Sequence, residues 1–162
     1  MKRSRLLSLA AIGTALAAIT GLLAFSAAGY ASGNGPCHDS SADCMISAAT
    51  KYINALVSHD PSDVPFVPDV RRRENGINTG DSADAIRRSL SPPTPNQVIT
   101  GARDIRWFVD AKSNDAIAYY LLDVATTPPQ VVHLAERFRV EHGLITEIEA
   151  IFSVNAIQTS GF

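Results

Sequence analysis

The chain has 162 residues, with 14 basic and 16 acidic side chains and a formal net charge of −2. Three of the basic residues, Lys2, Arg3 and Arg5, lie in an N-terminal stretch that we expect to be removed, which leaves 11 basic and 16 acidic residues and a net charge of −5. A domain of that sign is repelled by phosphate backbones and anionic lipid, so nucleic acid and membrane surfaces are excluded as expected partners.

An apolar run follows these basic residues and carries no charge from residue 6 to residue 28. This arrangement, with small residues at Ala28 and Ala31 for a peptidase, is typical of an export signal. We therefore expect residues 1–31 to be removed and about 130 residues to be secreted as one domain. The run is also close to the roughly 20 residues that span a bilayer, so an uncleaved membrane anchor with the domain facing outside is the alternative.

Residues 32–42 are rich in Gly, Ser, Asn and Pro and are predicted to form a flexible tether. Cys37 and Cys44 have six residues between them, and in an exported protein such a pair is expected to form a local disulfide. The disulfide would join the tether to the first helix. We place the folded domain at residues 43–155 and a C-terminal tail at 156–162.

Two helices are predicted at the start of the domain. Between residues 43 and 59 apolar side chains recur at spacings of three and four, as on the buried face of an amphipathic helix: Met45, Ala49, Tyr52, Ile53 and Leu56. His59-Asp60-Pro61 ends this helix. A shorter helix is predicted at 83–90, with Ser82 as its N-cap.

Strands are predicted over most of the remaining chain, at residues 70–74, 105–110, 116–124, 131–140 and 144–152. Asn75 and Gly76 follow the first of these and favour a two-residue turn, because both tolerate positive φ. The last two strands enclose residues 141–143, which favours a three-residue loop with Gly143 in the left-handed conformation.

That loop would set the register of the last hairpin. It would place Val140 opposite Leu144, Phe138 opposite Thr146, and Arg137 opposite Glu147. The predicted core face then carries Val140, Phe138, Leu144, Ile148, Ala150 and Phe152. On the other face, Arg137 and Arg139 would pair with Glu147 and Glu149, each pair contributing about 0.2–1 kcal/mol.

The strand at 116–122 is apolar on both of its alternating faces. We therefore expect both faces to be covered, one of them by curvature of the sheet around a cavity or by a second subunit. This predicts a homodimer through the outer face of the sheet.

Three local patterns carry a resemblance to a known superfamily. They are Tyr52-Ile53-Asn54-Ala55-Leu56 through His59-Asp60-Pro61, then Glu74-Asn75-Gly76, and then Gly143-Leu144-Ile145-Thr146-Glu147. With the order of the elements, they resemble the nuclear-transport-factor-2-like superfamily, also called SnoaL-like or ketosteroid-isomerase-like. The resemblance implies an α+β cone, in which a curved antiparallel sheet wraps one long and one or two short N-terminal helices. It also implies a pocket at the mouth and often a dimer across the outer face.

The superfamily includes isomerases, cyclases, epoxide hydrolases and proteins that only bind, so the resemblance implies no single activity. Glu74 and Asn75 could act as a base and an oxyanion donor, although a turn role for Asn75 and exposure of Glu74 to solvent explain them more simply. Asp110 and His133 are further candidate bases, against ordinary roles in a turn and on the surface. His133 and Glu136 point to opposite faces of one strand, so no metal site is expected.

The expected function is binding of a small, largely apolar molecule without catalysis. The predicted pocket is lined by Tyr52, Leu56, Asn75, Trp107 and Tyr119, with a simple core role as the alternative for Trp107. An isomerase or hydrolase with Glu74, Asp110 or His133 as its base is the second interpretation. The third is an accessory subunit held at the membrane by an uncleaved leader. No cofactor is expected in any of the three.

Overall fold

A computed structural model describes residues 39–153, which form two α-helices and one six-stranded sheet. The elements are α1 (Ala42–Ser58), β1 (Phe66–Glu74), β2 (Ile77–Gly80), α2 (Ala83–Leu90), a 3-10 turn (Pro95–Val98), β3 (Ile99–Asp110), β4 (Asp115–Val124), β5 (Gln130–Glu141) and β6 (Leu144–Phe152). The strand order is β2-β1-β6-β5-β4-β3. Every neighbouring pair is antiparallel except β1 and β6, which run parallel.

Helix α1 agrees with the predicted helix at 43–59. It begins after Ser41, whose side chain accepts a hydrogen bond from the Cys44 backbone N–H at 3.2 Å, and it ends at His59, which has a φ of 58°. Its buried face consists of Cys44, Met45, Ala48, Ala49, Tyr52, Ile53, Ala55 and Leu56. This face packs against β3, β4, β5 and β6, so the helix covers the inner face of the sheet.

Helix α2 has the predicted bounds. The Ser82 side chain accepts a hydrogen bond from the Ala85 backbone N–H at 3.3 Å, as expected of an N-cap. Ile86 and Leu90 are buried. Arg87 donates to the Val64 carbonyl at 3.0 Å, which ties the helix to the chain before β1.

Asn75 and Gly76 form the predicted turn between β1 and β2, with φ values of 49° and 80°. The Asn75 side chain also donates to the Phe152 carbonyl at 3.0 Å and accepts from the Phe152 backbone N–H at 2.9 Å. This pair of hydrogen bonds joins the β1–β2 hairpin to the last residue of β6.

The register predicted for the last hairpin is wrong. Glu141 pairs with Leu144 across a two-residue turn in which His142 and Gly143 both have positive φ, 51° and 77°. Such a turn matches the twist of the flanking strands. A bulge at Thr146 then moves the pairing, so that the partners are Arg139 with Glu147, Phe138 with Ile148 and Arg137 with Glu149.

The bulge also changes which residues enter the core. Ile145 is fully buried, whereas Leu144 is only partly buried, because the extra residue at Thr146 reverses the alternation on its N-terminal side. Ile148 and Ala150, beyond the bulge, are buried as predicted. The expected charge pairs on the outer face form, with Arg137 at 3.1 Å from both Glu147 and Glu149 and Arg139 at 3.8 Å from Glu147.

The two faces of β4 differ in burial. The inner side chains Ala116, Ala118, Tyr120 and Leu122 are buried in the core. On the outer face Tyr119 is 51% exposed and packs edge-on against Phe108 of β3, which is 58% exposed. No helix or strand within residues 39–153 packs on this outer face. The second subunit expected to cover it therefore stays a prediction.

Several predictions concern residues outside 39–153. The leader at 1–31, most of the tether, Cys37 and the tail at 156–162 all lie outside the described residues. Cys44 is buried at the start of α1, and its disulfide with Cys37 stays a prediction. Neither described helix combines the length and the apolar character needed to cross a membrane.

Candidate functional site

The strand register aligns one row of side chains across the inner face of the sheet. The row runs from Trp107 of β3 through Ala118 of β4, Glu136 of β5 and Ala150 of β6 to Glu74 of β1. A carboxylate therefore lies at the centre of the row, between two alanines whose methyl groups cannot form hydrogen bonds. The row places two carboxylates and the tryptophan on the concave side.

Glu136 is 2% exposed, although it carries an ionisable carboxyl. The Tyr120 hydroxyl donates to its Oε2 atom at 2.5 Å. Burial raises the pKa of Glu136, the hydrogen bond from Tyr120 lowers it, the charge of Glu74 raises it and Arg72 lowers it, and together these effects give a pKa of about 7. The carboxyl therefore exchanges its proton near neutral pH.

The partner hydroxyl is equally buried, since Tyr120 is 3% exposed. Burial raises the pKa of Tyr120 well above its ordinary value, and the nearby Glu136 carboxylate raises it further. Tyr120 therefore keeps its proton at physiological pH and acts as a hydrogen-bond donor to Glu136. Among residues 39–153, we find no hydrogen bond to Oε1, the second oxygen of Glu136.

A buried cation lies in the next row, where Arg72 of β1 is 3% exposed. Its guanidinium donates to the Thr79 side chain and carbonyl at 3.0 and 3.1 Å, to the Ser89 hydroxyl at 3.0 Å and to the Tyr52 hydroxyl at 3.3 Å. It also lies 3.7 Å from the Glu74 carboxylate. β2, α2 and α1 all contribute partners, so the side chain is fixed from three sides.

Tyr52 connects this cation to the core. Its ring packs edge-on against Phe66 and Phe138, with ring centroids 6.2 and 5.5 Å away. Burial raises the pKa of Tyr52, the Glu136 carboxylate raises it further, and Arg72 lowers it. We define Tyr52, Arg72, Glu74, Tyr120 and Glu136 as the polar cluster.

The polar cluster contains one carboxyl whose pKa is raised towards neutrality. A carboxyl whose pKa is near the working pH is present in both forms and can take or give a proton efficiently. Perturbed carboxyls of this kind concentrate at functional sites, although buried ion-pair networks also perturb pKa values. Among residues 39–153, Glu136 is the carboxyl that combines full burial with a pKa raised to about 7.

Part of the predicted pocket lies on the inner face with the polar cluster. Tyr52 and Leu56 of α1 are buried there, and Trp107 is partly buried with its ring 6.4 Å from that of Phe138. Tyr119 does not join them, which corrects its place in the predicted pocket. Side chains alternate along a strand, and Tyr120 takes the inward position of β4.

The predicted bases occupy different places. Glu74 is 30% exposed beside Arg72, and the exposed Asn75 has the turn and strand-joining role described above. Asp110 accepts hydrogen bonds from the Lys112 backbone N–H at 3.0 Å and the Ser113 hydroxyl at 2.7 Å in the β3–β4 turn, and the Ser113 hydroxyl holds its pKa below the ordinary value. Asp110 therefore caps a turn.

His133 lies exposed on the outer face of β5. In the described part of the chain, the structure shows no hydrogen bond between a tyrosine hydroxyl and the side chain of His133 or Asp110. Within residues 39–153, no group of three or more His, Cys, Asp or Glu side chains is arranged to hold a metal ion.

Sequence reasoning did not identify Glu136, Tyr120 or Arg72 as site residues. A usable signal existed for Glu136, because the alternation Leu134, Glu136, Phe138 places it on the apolar face of its strand. A charge in such a position is costly unless a partner is present. Alternation also places Arg72 on the same face of its strand as the buried Val70, two residues earlier, so its charge needs a partner as well.

A family model described as "Domain of unknown function (DUF8021)" matches residues 38–152. A search of curated proteins finds no match.

Among solved structures, the fold is similar to an LEH-like epoxide hydrolase from M. tuberculosis, with 18% identity, a TM-score of 0.57, and coverage of 69% of this chain and 84% of that one. It is also similar to an NTF-2 like protein of unknown function from Burkholderia xenovorans, with 13% identity, a TM-score of 0.55, and coverage of 73% and 89%. A protein with a cystatin-like fold from Methylobium petroleophilum matches with 19% identity, a TM-score of 0.58, and coverage of 75% and 84%. These similarities confirm the predicted cone fold.

Proposed function

This chain belongs to the DUF8021 family and has an NTF2-like fold, and we propose that it is a small-molecule enzyme of the isomerase or hydrolase type. The domain binds a largely apolar molecule against the inner face of the sheet. Glu136 moves the proton. The observation that carries the proposal is the buried hydrogen bond from the Tyr120 hydroxyl to Glu136 Oε2, at 2.5 Å. The Glu136 carboxyl that accepts it has a pKa of about 7.

The surroundings of Glu136 suit an apolar ligand. Trp107 ends its row, and Phe138 and Leu134 of the same strand are buried beside it. Small-molecule sites are typically apolar with a few polar groups that fix orientation. One of the similar solved structures is named as an epoxide hydrolase, which supports a fold able to carry acid–base chemistry without identifying the substrate.

In the proposed reaction the ionised Glu136 takes a proton from the bound molecule or from a water, and returns it at another position. Tyr120 holds the carboxylate by its donated hydrogen bond and orients the second oxygen for this transfer. General acid–base catalysis by a positioned side chain contributes typically about 10²–10⁴-fold in rate.

A ketone that carries exchangeable hydrogens next to its carbonyl tests this step without knowledge of the natural substrate. We expect the protein to accelerate deuterium exchange from D2O into 2-acetonaphthone, and Glu136→Gln to abolish the acceleration. Glu149→Gln, the same substitution on the outer face, is the matched control and should exchange like the parent protein. Equal exchange rates in the Glu136 and Glu149 variants would overturn the proposal.

Binding without catalysis is the second candidate function. The hydrogen bonds within the polar cluster favour it, because four of the five N–H groups of Arg72 donate to neighbouring residues, which is typical of a structural role. A binder would take up an uncharged fluorescent dye equally well before and after Glu136→Gln and would show no deuterium exchange in either protein.

A homodimer through the outer face of the sheet completes the proposal. Phe108 and Tyr119 expose more than half of their surface there, and exposed aromatic patches commonly mark interfaces. One row of this face alternates in charge, with Arg71, Glu147, Arg139 and Asp115 side by side on four strands. A two-fold axis across the middle of the row would bring opposite charges together.

Sedimentation at micromolar concentration tests the dimer. Tyr119→Lys should shift the protein to monomer, whereas His133→Lys on the same face leaves the aromatic pair intact and is the control. A parent protein that sediments only as monomer would refute the dimer.

Export after removal of residues 1–31 is part of the same proposal, and the mass of the mature protein checks it. A mass that includes those residues in a membrane fraction would favour the anchored accessory subunit instead.

A further inference from the structure

The turn between β1 and β2 contains a chemically reactive pair of residues. Asn75 is followed by Gly76, and both are exposed to solvent. Asparagine is a thermolabile residue, and a following glycine has no side chain to shield its backbone nitrogen from the asparagine amide. A Cβ built on Gly76 would meet no atom within 4 Å, so the turn has room for a ring that joins the two residues.

The reaction of such a pair needs only the protein and water. The Gly76 nitrogen forms a bond to Asn75 Cγ and gives up its hydrogen, the bond from Cγ to the side-chain nitrogen breaks, and ammonia leaves. Water then opens the resulting succinimide ring at one of its two carbonyl carbons. Opening at Cγ gives aspartate, whereas opening at the main-chain carbonyl gives isoaspartate, in which the backbone runs through the side chain.

Three hydrogen bonds to β6 hold Asn75 in place. Its backbone N–H donates to the Ala150 carbonyl at 2.8 Å. Its side-chain amide donates to the Phe152 carbonyl at 3.0 Å and accepts from the Phe152 backbone N–H at 2.9 Å. The side chain thus continues the pairing of β1 with β6 beyond Glu74. Ring closure moves Cγ onto the Gly76 nitrogen, so both bonds to Phe152 have to open first.

We propose that Asn75 is a site of spontaneous deamidation, that its hydrogen bonds with Phe152 restrain the reaction, and that the product releases the β1–β2 hairpin from the end of β6. Aspartate keeps an acceptor for the Phe152 N–H, but it directs a negatively charged oxygen at the Phe152 carbonyl in place of a donor. Isoaspartate also lengthens the backbone between the paired residues Glu74 and Ile77. The modification does not depend on the proposed activity.

Peptide mapping of the purified protein in mildly alkaline buffer, with and without urea, measures the reaction. As two net hydrogen bonds allow, deamidation at Asn75 should be about tenfold to a hundredfold slower in the folded protein than in the unfolded chain. Water labelled with heavy oxygen should leave its label in the product, because water opens the ring. Equal rates with and without urea would overturn the restraint.

Mapping is needed because Asn34 also precedes a glycine, so the total mass does not identify the site. Trypsin releases residues 74–87 as one peptide, since arginines stand at 73 and 87. The same peptide contains Asn78, which is followed by Thr79 and should stay unmodified. Absence of deamidation at Asn75 even in urea would overturn the site itself.

Two variants of Phe152 test the restraint without changing the reacting pair. Phe152→Pro removes the backbone N–H that bonds to Asn75, whereas Phe152→Ala removes the same ring and keeps that N–H. Deamidation at Asn75 should be about two- to tenfold faster in the proline variant than in the alanine variant. Equal rates in the two variants would overturn the role of Phe152. If the proline variant does not fold, the comparison of folded and urea-unfolded parent protein decides the restraint.

The release of the hairpin is tested with the aspartate product itself. Asn75→Asp should unfold at a urea concentration about 1 M lower than the parent protein. Asn78→Asp is the matched control, because it adds the same charge in β2. Asn78 uses only its side-chain oxygen, which accepts from the Gly80 backbone N–H at 3.0 Å, and aspartate retains that bond. Equal unfolding midpoints for the parent and Asn75→Asp would overturn the release.

Discussion

Glu136 should make the stability of the domain depend on pH in a direction unusual for a carboxylate. Its pKa is raised from 4.5 to about 7, chiefly by burial. The folded protein therefore binds this proton more tightly than the unfolded chain does. Between these two pKa values the folded state holds a proton that the unfolded state has released, so stability falls as pH rises.

The size of the effect follows from the two pKa values. Each unit of difference corresponds to about 1.4 kcal/mol, so the full stabilisation from a protonated Glu136 is present below pH 4.5 and about 3 kcal/mol of it is lost once pH exceeds about 7. For a domain whose total stability is about 5–15 kcal/mol, this is a large fraction.

Glu136→Gln isolates this contribution, because the amide has the shape of the protonated carboxyl and does not ionise. We expect the parent protein to lose about 3 kcal/mol relative to the variant between pH 4.5 and pH 7.5. Urea unfolding followed by Trp107 fluorescence at several pH values measures the difference. Glu149→Gln, at a 42% exposed side chain on the outer face, is the control. Parallel stability curves for the parent and Glu136→Gln would refute the reasoning.

Three further predictions concern single contacts. Trp107→Ala should weaken binding of an uncharged fluorescent dye by about 1–3 kcal/mol. An unchanged affinity in a folded variant would show that the indole packs in the core and does not contact the ligand. Mass spectrometry without reductant should find Cys37 and Cys44 joined; two free thiols would contradict this. Asn75→Ala should lower the free energy of unfolding by about 1–3 kcal/mol, because it removes both hydrogen bonds to the Phe152 backbone and places Ala at a φ of 49°. Asn75→Gly, which tolerates that φ, should lose less.

The features predicted well from sequence are those decided by local chemistry. Helix α2 begins at the residue after Ser82 and ends before Pro92, because a side-chain cap and a proline act within one turn. Asn75 and Gly76 form the expected turn because their tolerance of positive φ is a property of those residues alone.

Register was predicted less well because it depends on a choice between two turns. A loop of residues 141–143 and a turn of His142 and Gly143 are both compatible with the sequence, and the second requires positive φ at a histidine. The bulge at Thr146 has no clear signal of its own. It decides whether Leu144 or Ile145 enters the core, which alternation within the strand alone cannot show.

The polar cluster illustrates why sites are harder to predict than elements. Arg72 stands in a run of three arginines, and only the structure shows that β2, α2 and α1 surround the middle one with acceptors. Alternation alone does place Arg72 and Glu136 on apolar faces of their strands. Because an isolated buried charge is so costly, two such residues of opposite sign in one sheet already indicate that they lie within electrostatic reach of each other. The sequence does not show which tyrosine forms a hydrogen bond with each charged residue. Tyr52 of α1 bonds to Arg72 and Tyr120 of β4 bonds to Glu136, and both contacts form only in the folded domain.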